Sequence, residues 1–430
     1  MALVIEGGLN LPMPHMVPIR QKFSMVEIAD IEGEVSKRYQ EFSARGSVRP
    51  GAKIAIAVGS RGICAIDVIL RTVIKELKKQ GARPFIIPAM GSHGGATAEG
   101  QIQVLKELGI TEEVMEVPIV SSMEVSPIGQ LPNGMPVLVD KNALDSDGIV
   151  IVNRIKPHTG FKGEFESGLL KMMTIGLGKH KGASLVHQFG LGMFPELLPQ
   201  IGSLVMAKAP ILFGLAVIEN ACDKIAFLEF IDKGNLIHRE KELLLKAKEL
   251  LPRLYLNEID VLIVQEMGKE ISGPGIDPNI TGRSPSKAFK EEYVSAPSIN
   301  RIVVLDLTAK TRGNANGMGI SDVITKRFFD KINFDYTYAN TITATVLEAA
   351  KIPVIMPTDY EAIQVALRAC NGVKHPGSKI VWIKNTLQLE YIFVSDTYLE
   401  DIKEDLRIEV LGAPVPWPFA QDGRLNVEAG

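Results

Sequence analysis

Hydrophobic positions in the first half of the chain alternate between two periods. Residues 53–58 (KIAIAV) form a short run of β-formers that ends in Gly59-Ser60-Arg61-Gly62. Residues 63–79 then place Ile66, Ile69, Leu70, Val73 and Leu77 at helical spacing. Residues 84–89 (PFIIPA) read as a second buried strand, running into Met90-Gly91-Ser92-His93-Gly94-Gly95. Thr97 follows as an N-cap, with Gly100 and Gln101 at the third and fourth helical positions, for a helix reaching about residue 108. Strand, glycine-rich turn, helix, repeated, is the signature of parallel βα units. Such sheets bind ligands at the carboxyl ends of their strands, where both glycine-rich turns fall.

Residues 114–139 are less regular and rich in β-formers, and 148–152 (GIVIV) is another buried strand. After it come Asn153-Arg154-Ile155-Lys156-Pro157-His158 and a segment dense in glycine. Residues 190–208 read as a helix, 210–218 and 224–230 as a strand pair, and 239–251 as a charged amphipathic helix. Further on, 260–264 and 301–305 are strands, 320–329, 340–350 and 360–371 helices, and 379–383 and 391–394 late strands. The expectation is an α/β protein of two domains, 1–250 and 251–430. Each has a mainly parallel or mixed sheet flanked by helices, with the active site in the cleft between them.

Composition narrows the function classes. The chain has 430 residues and a formal net charge of −3, which argues against a nucleic-acid binder. Three cysteines, Cys64, Cys222 and Cys370, are scattered without a CxxC, as suits a reducing cytoplasm. No run of about 18 uncharged apolar residues is present, and residues 1–14 lack the basic stretch of a secretory leader, so a cytoplasmic protein without a membrane span is expected.

Seven histidines make the search for chemistry short. His93 (GSHGG) and His158 (RIKPHTG) follow strand ends, and His187 (ASLVHQFG) follows the glycine-dense segment. A histidine among small residues has room to reach a ligand, although each could equally cap a helix or bond a loop carbonyl. Together the three could hold a zinc ion with one open position, but no HExxH supplies a general base. Lys171 lies in an apolar helical stretch, ESGLLKMM, where a lysine is costly unless paired, deprotonated or chemically used. Ser60 and Arg61 sit in a tight turn fit for an anion, but the turn matches neither GxxxxGK[ST] nor GxGxxG.

The segment 154–187, RIKPHTGFKGEFESGLLKMMTIGLGKHKGASLVH, resembles the core motif of the lactate racemase family, the nickel-pincer-nucleotide isomerases. Pro157-His158, Gly160-Phe161, Ser167-Gly168-Leu169-Leu170-Lys171 and Gly176 fall in the family's order, and His187 stands sixteen residues after Lys171. Ser92-His93-Gly94 is similar to the family's upstream histidine turn. The resemblance covers most of residues 50–220 and weakens beyond 250. It implies that Lys171 is the covalent attachment point of the nickel-pincer nucleotide and that His187 ligates the nickel. It implies too that His93 and His158 are the acid/base pair, and that Ser60 and Arg61 contact the cofactor and the substrate carboxylate. Imidazole with soft sulfur donors suits Ni(II), and histidine suits proton transfer near neutral pH.

Two departures from the family pattern stand out. Val58 occupies the place of an aspartate three residues before the arginine. Gly275-Ile276-Asp277-Pro278-Asn279-Ile280-Thr281 resembles the family's Pro-x-Asp-x-Asn stretch, after which a glutamine and a lysine line the lactate pocket; here Gly282, Arg283 and Ser284 follow, and Pro285 stands near the lysine position. Asn279 and Arg283 are thus expected at a substrate other than lactate, such as a larger hydroxy acid. The reading is a racemase or epimerase at C2 of a small anionic 2-hydroxy acid, served by cofactor-synthesis enzymes. The alternatives are a sugar-acid or nucleotide binding protein without turnover, and a zinc-dependent hydrolase using His93, His158 and His187.

Overall fold

The alternation Ile-Ala-Ile-Ala in KIAIAV decides how the first sheet is built. In the computed structural model, which describes residues 5–6, 8–43, 48–60, 62–286, 293, 296–373 and 375–426, this run is a strand buried at every position but the first. Numbered along the chain, the strands of the sheet are β2 (Lys53–Val58), β3 (Arg83–Pro88), β6 (Gly148–Arg154), β7 (Ile211–Glu219) and β8 (Ile225–Asp232), ordered β3-β2-β6-β7-β8. All neighbours are parallel except β7 and β8. Side chains alternate across a sheet with period two. Ile54, Ile56, Val58, Val150, Val152, Phe213, Leu215 and Val217 therefore share one core with Tyr39 and Phe42 of the helix Ile31–Ser43 and Ile69, Leu70, Val73 and Leu77 of the helix Ile66–Lys79. Each such fully buried side chain is worth roughly 1.5–3 kcal/mol. The opposite face carries Ala55, Ala57, Gly214 and Ala216, in register with Ile149, Ile151 and Asn153. Small residues there let other segments approach closely: a Cβ on Gly214 would stand 2.6 Å from Leu169.

The order β3-β2-β6 makes the gap between β2 and β6 a topological switch point, where the chain leaves one strand to the left and enters the other on the right. Ligand crevices open there, beyond the strand carboxyl ends. A separate hairpin of β4 (Val125–Gln130) and β5 (Pro136–Asp140) occupies the segment that reads as irregular in the sequence.

A second sheet has the order β12-β11-β10-β9-β13-β14-β1-β15. Its strands are β1 (Met16–Gln21), β9 (Glu258–Met267), β10 (Ser298–Leu307), β11 (Val323–Thr325), β12 (Val354–Met356), β13 (Ile380–Ile383), β14 (Tyr391–Ser395) and β15 (Ile408–Val410). The five from β12 to β13 run parallel and the remaining pairs are antiparallel. The chain thus divides into residues 24–251 and residues 1–23 with 252–430. The expected domain 1–250 differs in its first 23 residues, because β1 is bonded between β14 and β15.

Both sheets are parallel or mixed and flanked by helices, as the sequence pattern implies. Local differences have local causes. Residues 320–329 contain the strand β11 before the helix Lys326–Asp330, because Val323-Ile324-Thr325 pairs with β10 and β12 and Thr325 then caps the Phe328 amide. The expected helix over 340–350 is the end of Phe334–Thr343, a break at Thr345 (φ 57°) and a short 3-10 turn, Leu347–Ala350. Among the described residues no helix is long and apolar enough to cross a membrane.

Candidate functional site

Three strand ends of the first sheet lead into Ser60, His93 and His158. After β2 comes Gly59-Ser60. Arg61, assigned with Ser60 to anion contact, lies outside the described residues. After β3 the chain turns through Gly91 and Gly94, both at positive φ (60° and 66°). A Cβ on Gly94 would lie 2.6 Å from the Gly100 backbone, so the turn needs both its backbone freedom and its missing side chain. Thr97 caps the helix Ala98–Glu107 as expected, its hydroxyl accepting from the Gly100 amide at 3.0 Å. Gln101, fully buried in that helix, donates to the carbonyls of Gly91 (3.0 Å) and His93 (3.3 Å) and so fixes the loop. His93 is exposed, and its Nδ1 is hydrogen-bonded to the Ser60 hydroxyl. The turns after β2 and β3 are joined through the very residues singled out in each.

After β6, Lys156 and Ser167 exchange backbone hydrogen bonds (2.9 and 3.2 Å), closing a loop that carries His158. The buried Glu166 carboxylate anchors it, accepting from the His158 amide at 2.6 Å and pairing with Lys162 (3.3 Å) and Lys248 (2.7 Å). The Gly160 amide donates to His158 Nδ1 at 2.9 Å. This bond assigns the proton of the neutral ring to Nε2.

Two aromatic rings draw the rest together. The His158 ring stacks on Phe161 at 4.1 Å between centroids, and Lys171 Nζ lies 5.7 Å from the centre of the same ring. Phe161 contacts Phe194 at 5.1 Å, and His187 sets its edge against Phe194, also at 5.1 Å. Lys171 ends the three-residue helix Leu169–Lys171, which continues as a π-helical turn, Met172–Gly176, and His187 ends the helix Lys179–His187. Such π turns widen the helix and recur at functional sites. His187 Nδ1 donates to the Ala183 carbonyl at 2.7 Å, which leaves Nε2 as the lone-pair nitrogen. Burial lowers its pKa, and the nearby Lys171 charge lowers it further, against the Ala183 bond. His187 is therefore neutral at pH 7, the form that ligates a metal.

This donor set fits a lysine-linked, nickel-bearing group. A neutral imidazole with a fixed tautomer and a half-buried lysine face the same aromatic pair. It does not fit the three-histidine zinc site. Among the described residues no group of three or more His, Cys, Asp or Glu is placed to hold a metal ion.

Asn279 and Arg283 sit in the other unit. The loop after β9 brings Asp277 to cap the short helix Pro278–Thr281, accepting from the Asn279 amide and from Asn279 Nδ2, both at 2.8 Å. The Asp277 amide in turn donates to Thr386, beyond β13, at 3.1 Å. Arg283 pairs with Asp322 at 2.6 Å and donates to the carbonyls of Ile299, Asn300 and Ile320. Its guanidinium braces β10 and the turn before β11.

Two site-bearing residues escape the sequence reading. Lys179 is fully buried, at φ 52°, pairing with Asp140 (3.0 Å) and donating to Gln101 Oε1 (3.2 Å) and the Pro88 carbonyl. Nothing in GLGKHKG sets it apart from Lys181. Glu240, also buried, sits on the helix Leu236–Leu250 and reaches the start of the Lys171 helix. Its signal was legible: Leu236, Glu240, Leu243, Leu244 and Ala247 share one helical face, so Glu240 stands at a core position.

The sequence profile of the lactate racemase N-terminal domain matches residues 19–191, a span that includes all five of Ser60, His93, His158, Lys171 and His187. No curated protein sequence matches the chain. Among solved structures, the chain is similar to the lactate racemase apoprotein from Thermoanaerobacterium thermosaccharolyticum. Sequence identity is 15%, coverage 90% of this chain and 96% of that one, and the TM-score 0.51. At that identity the likeness speaks for the fold alone. Residues 19–191 are thus similar to the lactate racemase N-terminal domain.

Proposed function

We propose that the chain is a racemase or epimerase acting at C2 of a 2-hydroxy acid other than lactate. The observation that carries this reading is the gathering of His158, Lys171 and His187 on the Phe161–Phe194 pair, with His187 held neutral. Lys171 would hold the nickel-pincer nucleotide covalently and His187 would ligate its nickel; when bound, that group supplies the hydride acceptor and donor that inversion at C2 needs.

The chain's own residues handle binding and protons. His93, oriented by Ser60, takes the hydroxyl proton of the substrate, and His158, with its proton on Nε2, donates to the substrate oxygen. Each ring is held in one orientation by a hydrogen bond at Nδ1, as general acid–base work requires. Arg61, next to Ser60, receives the substrate carboxylate as a bidentate partner. The valine at 58 removes a carboxylate from this turn, and Ser60 supplies the hydrogen bond that holds His93 there.

Protein co-expressed with cofactor-synthesis enzymes tests the reading. Intact mass is expected to show one adduct on Lys171 with stoichiometric nickel, and C2-deuterated hydroxy acids are expected to invert with the label retained. His93→Ala and His158→Ala are expected to abolish inversion and keep the adduct, and His187→Ala to lose nickel. Wash-out of deuterium into solvent, or full activity with an unmodified Lys171, overturns it.

A further inference from the structure

A carboxyl bound to the start of the Lys171 segment comes from a distant helix. Glu240 projects from Leu236–Leu250, and its Oε2 accepts from the Leu170 amide at 2.9 Å, with the Leu169 amide also bonded to the carboxyl. These are the first two amides of the three-residue helix that ends in Lys171. So short a helix has no internal partners for them, so they depend wholly on an external acceptor. Strand β6 grips the same point from the other side: Asn153 Nδ2 donates to the Gly168 carbonyl at 2.7 Å.

Gly168 is shaped by this approach. Its backbone is extended (φ −179°), a conformation open to any residue. What forbids a side chain is space: a Cβ would stand 2.1 Å from Glu240 Oε1. That oxygen is buried and has no hydrogen-bond partner among the described residues. A carboxyl half-satisfied in the protein interior is costly, and it stays in place only where the surroundings hold it.

We propose that Glu240 is the positioning residue of Lys171. Its carboxyl, admitted by the bare Cα of Gly168, caps Leu169 and Leu170 and sets the direction in which Lys171 leaves the helix. The inference rests on the reading of Lys171 as the attachment point for its functional meaning, but not for its geometry. Glu240 touches neither substrate nor cofactor in this assignment and acts only through the backbone it caps.

The test uses the full-length chain without cofactor, so it does not depend on racemase activity. Amide exchange at Leu169 and Leu170 and the rate of Lys171 acylation by a small amine-reactive ester, both read by mass spectrometry, are compared across variants. Glu240→Ala is expected to speed exchange at those amides about tenfold, the effect of one lost cap, and to change the Lys171 acylation rate severalfold while other lysines keep theirs. Glu240→Gln, which retains an acceptor oxygen, is expected to stay within twofold of the parent chain. Gly168→Ala is expected to mimic Glu240→Ala, and the double variant to be no worse than either alone, because both remove one contact. Unchanged Lys171 acylation in both single variants, or fully additive effects in the double variant, overturns the proposal. If the coupling appears but the cofactor-loaded enzyme inverts no hydroxy acid, the functional reading fails and this one stands.

Discussion

Replacing Lys179 by methionine removes a buried charge and keeps the length of the side chain. In the folded protein Lys179 Nζ meets Asp140 at 3.0 Å, Gln101 Oε1 at 3.2 Å and the Pro88 carbonyl, with neither charged side chain exposed to water. Burial pulls the lysine pKa down and the Asp140 charge pulls it back up. Methionine leaves the Asp140 carboxylate buried without its counter-charge, although Asp140 still caps the Ala143 amide at 3.0 Å. Breaking a buried pair in this way costs about 3–5 kcal/mol. For a unit of this size that lowers the midpoint by about 6–20 °C in scanning calorimetry. The positive φ at residue 179 is shared by both side chains and drops out of the comparison. Asp140→Asn combined with Lys179→Met is expected to lose less than the two single variants summed, since no charge is then stranded. A loss below about 1 kcal/mol for Lys179→Met would mean that water reaches the pair and that the buried strut does not exist.

Three further outcomes follow from the same geometry. Burial raises the Glu240 pKa from 4.5 to about 8, against the lowering bonds from Leu170 and Leu169. Between those values the folded chain keeps a proton that the unfolded chain releases, so stability falls as pH rises from about 4.5 to about 8, by at most about 5 kcal/mol. Urea titrations of Glu240→Gln across that range are expected to show a flatter profile than the parent chain, and parallel profiles would refute the assignment. Arg283→Ala is expected to cost roughly 2–4 kcal/mol of stability, because Asp322 and three carbonyls lose their donor. A variant that keeps its stability but raises KM for a hydroxy acid would return Arg283 to the substrate. Ser60→Ala is expected to lower kcat of the loaded enzyme about tenfold or more with the melting temperature unchanged, since only the orientation of His93 is lost.

How much of this was legible depends on whether a residue's partner is local. The βα units of the first sheet could be read because each strand carries its own period and each turn its own glycines. The Thr97 cap was legible for the same reason: the hydroxyl and the amide it accepts from are three residues apart. β11 was hidden because a three-residue strand has no period of its own and exists through its partners β10 and β12. β1 was assigned to the wrong unit because its partners stand some 370 residues later in the chain. The site followed the same rule. His93, His158, Lys171 and His187 lie in turns and helices whose spacing survives in one dimension, whereas Lys179 is defined by Pro88, Gln101 and Asp140, none of them near it in sequence.

That contrast bears on where the chain's specificity lies. Two of the residues that match the family pattern are held by backbone groups of their own segment: His158 by the Gly160 amide, His187 by the Ala183 carbonyl. Backbone partners survive changes of nearby side chains, so the chemistry of this half can stay constant while a substrate pocket drifts. The departures are side-chain exchanges. Val58 stands where the family pattern has an aspartate, and His93 is bonded to the Ser60 hydroxyl. Arg283 brings a positive charge and Asp322 pairs with it at 2.6 Å. On the proposed function the substrate carboxylate falls to Arg61, and Arg283, held by Asp322, is not expected to bind it. If a panel of hydroxy acids favours dianionic substrates over monoanionic ones of equal length, the pairing of Arg283 with Asp322 does not operate in the working enzyme.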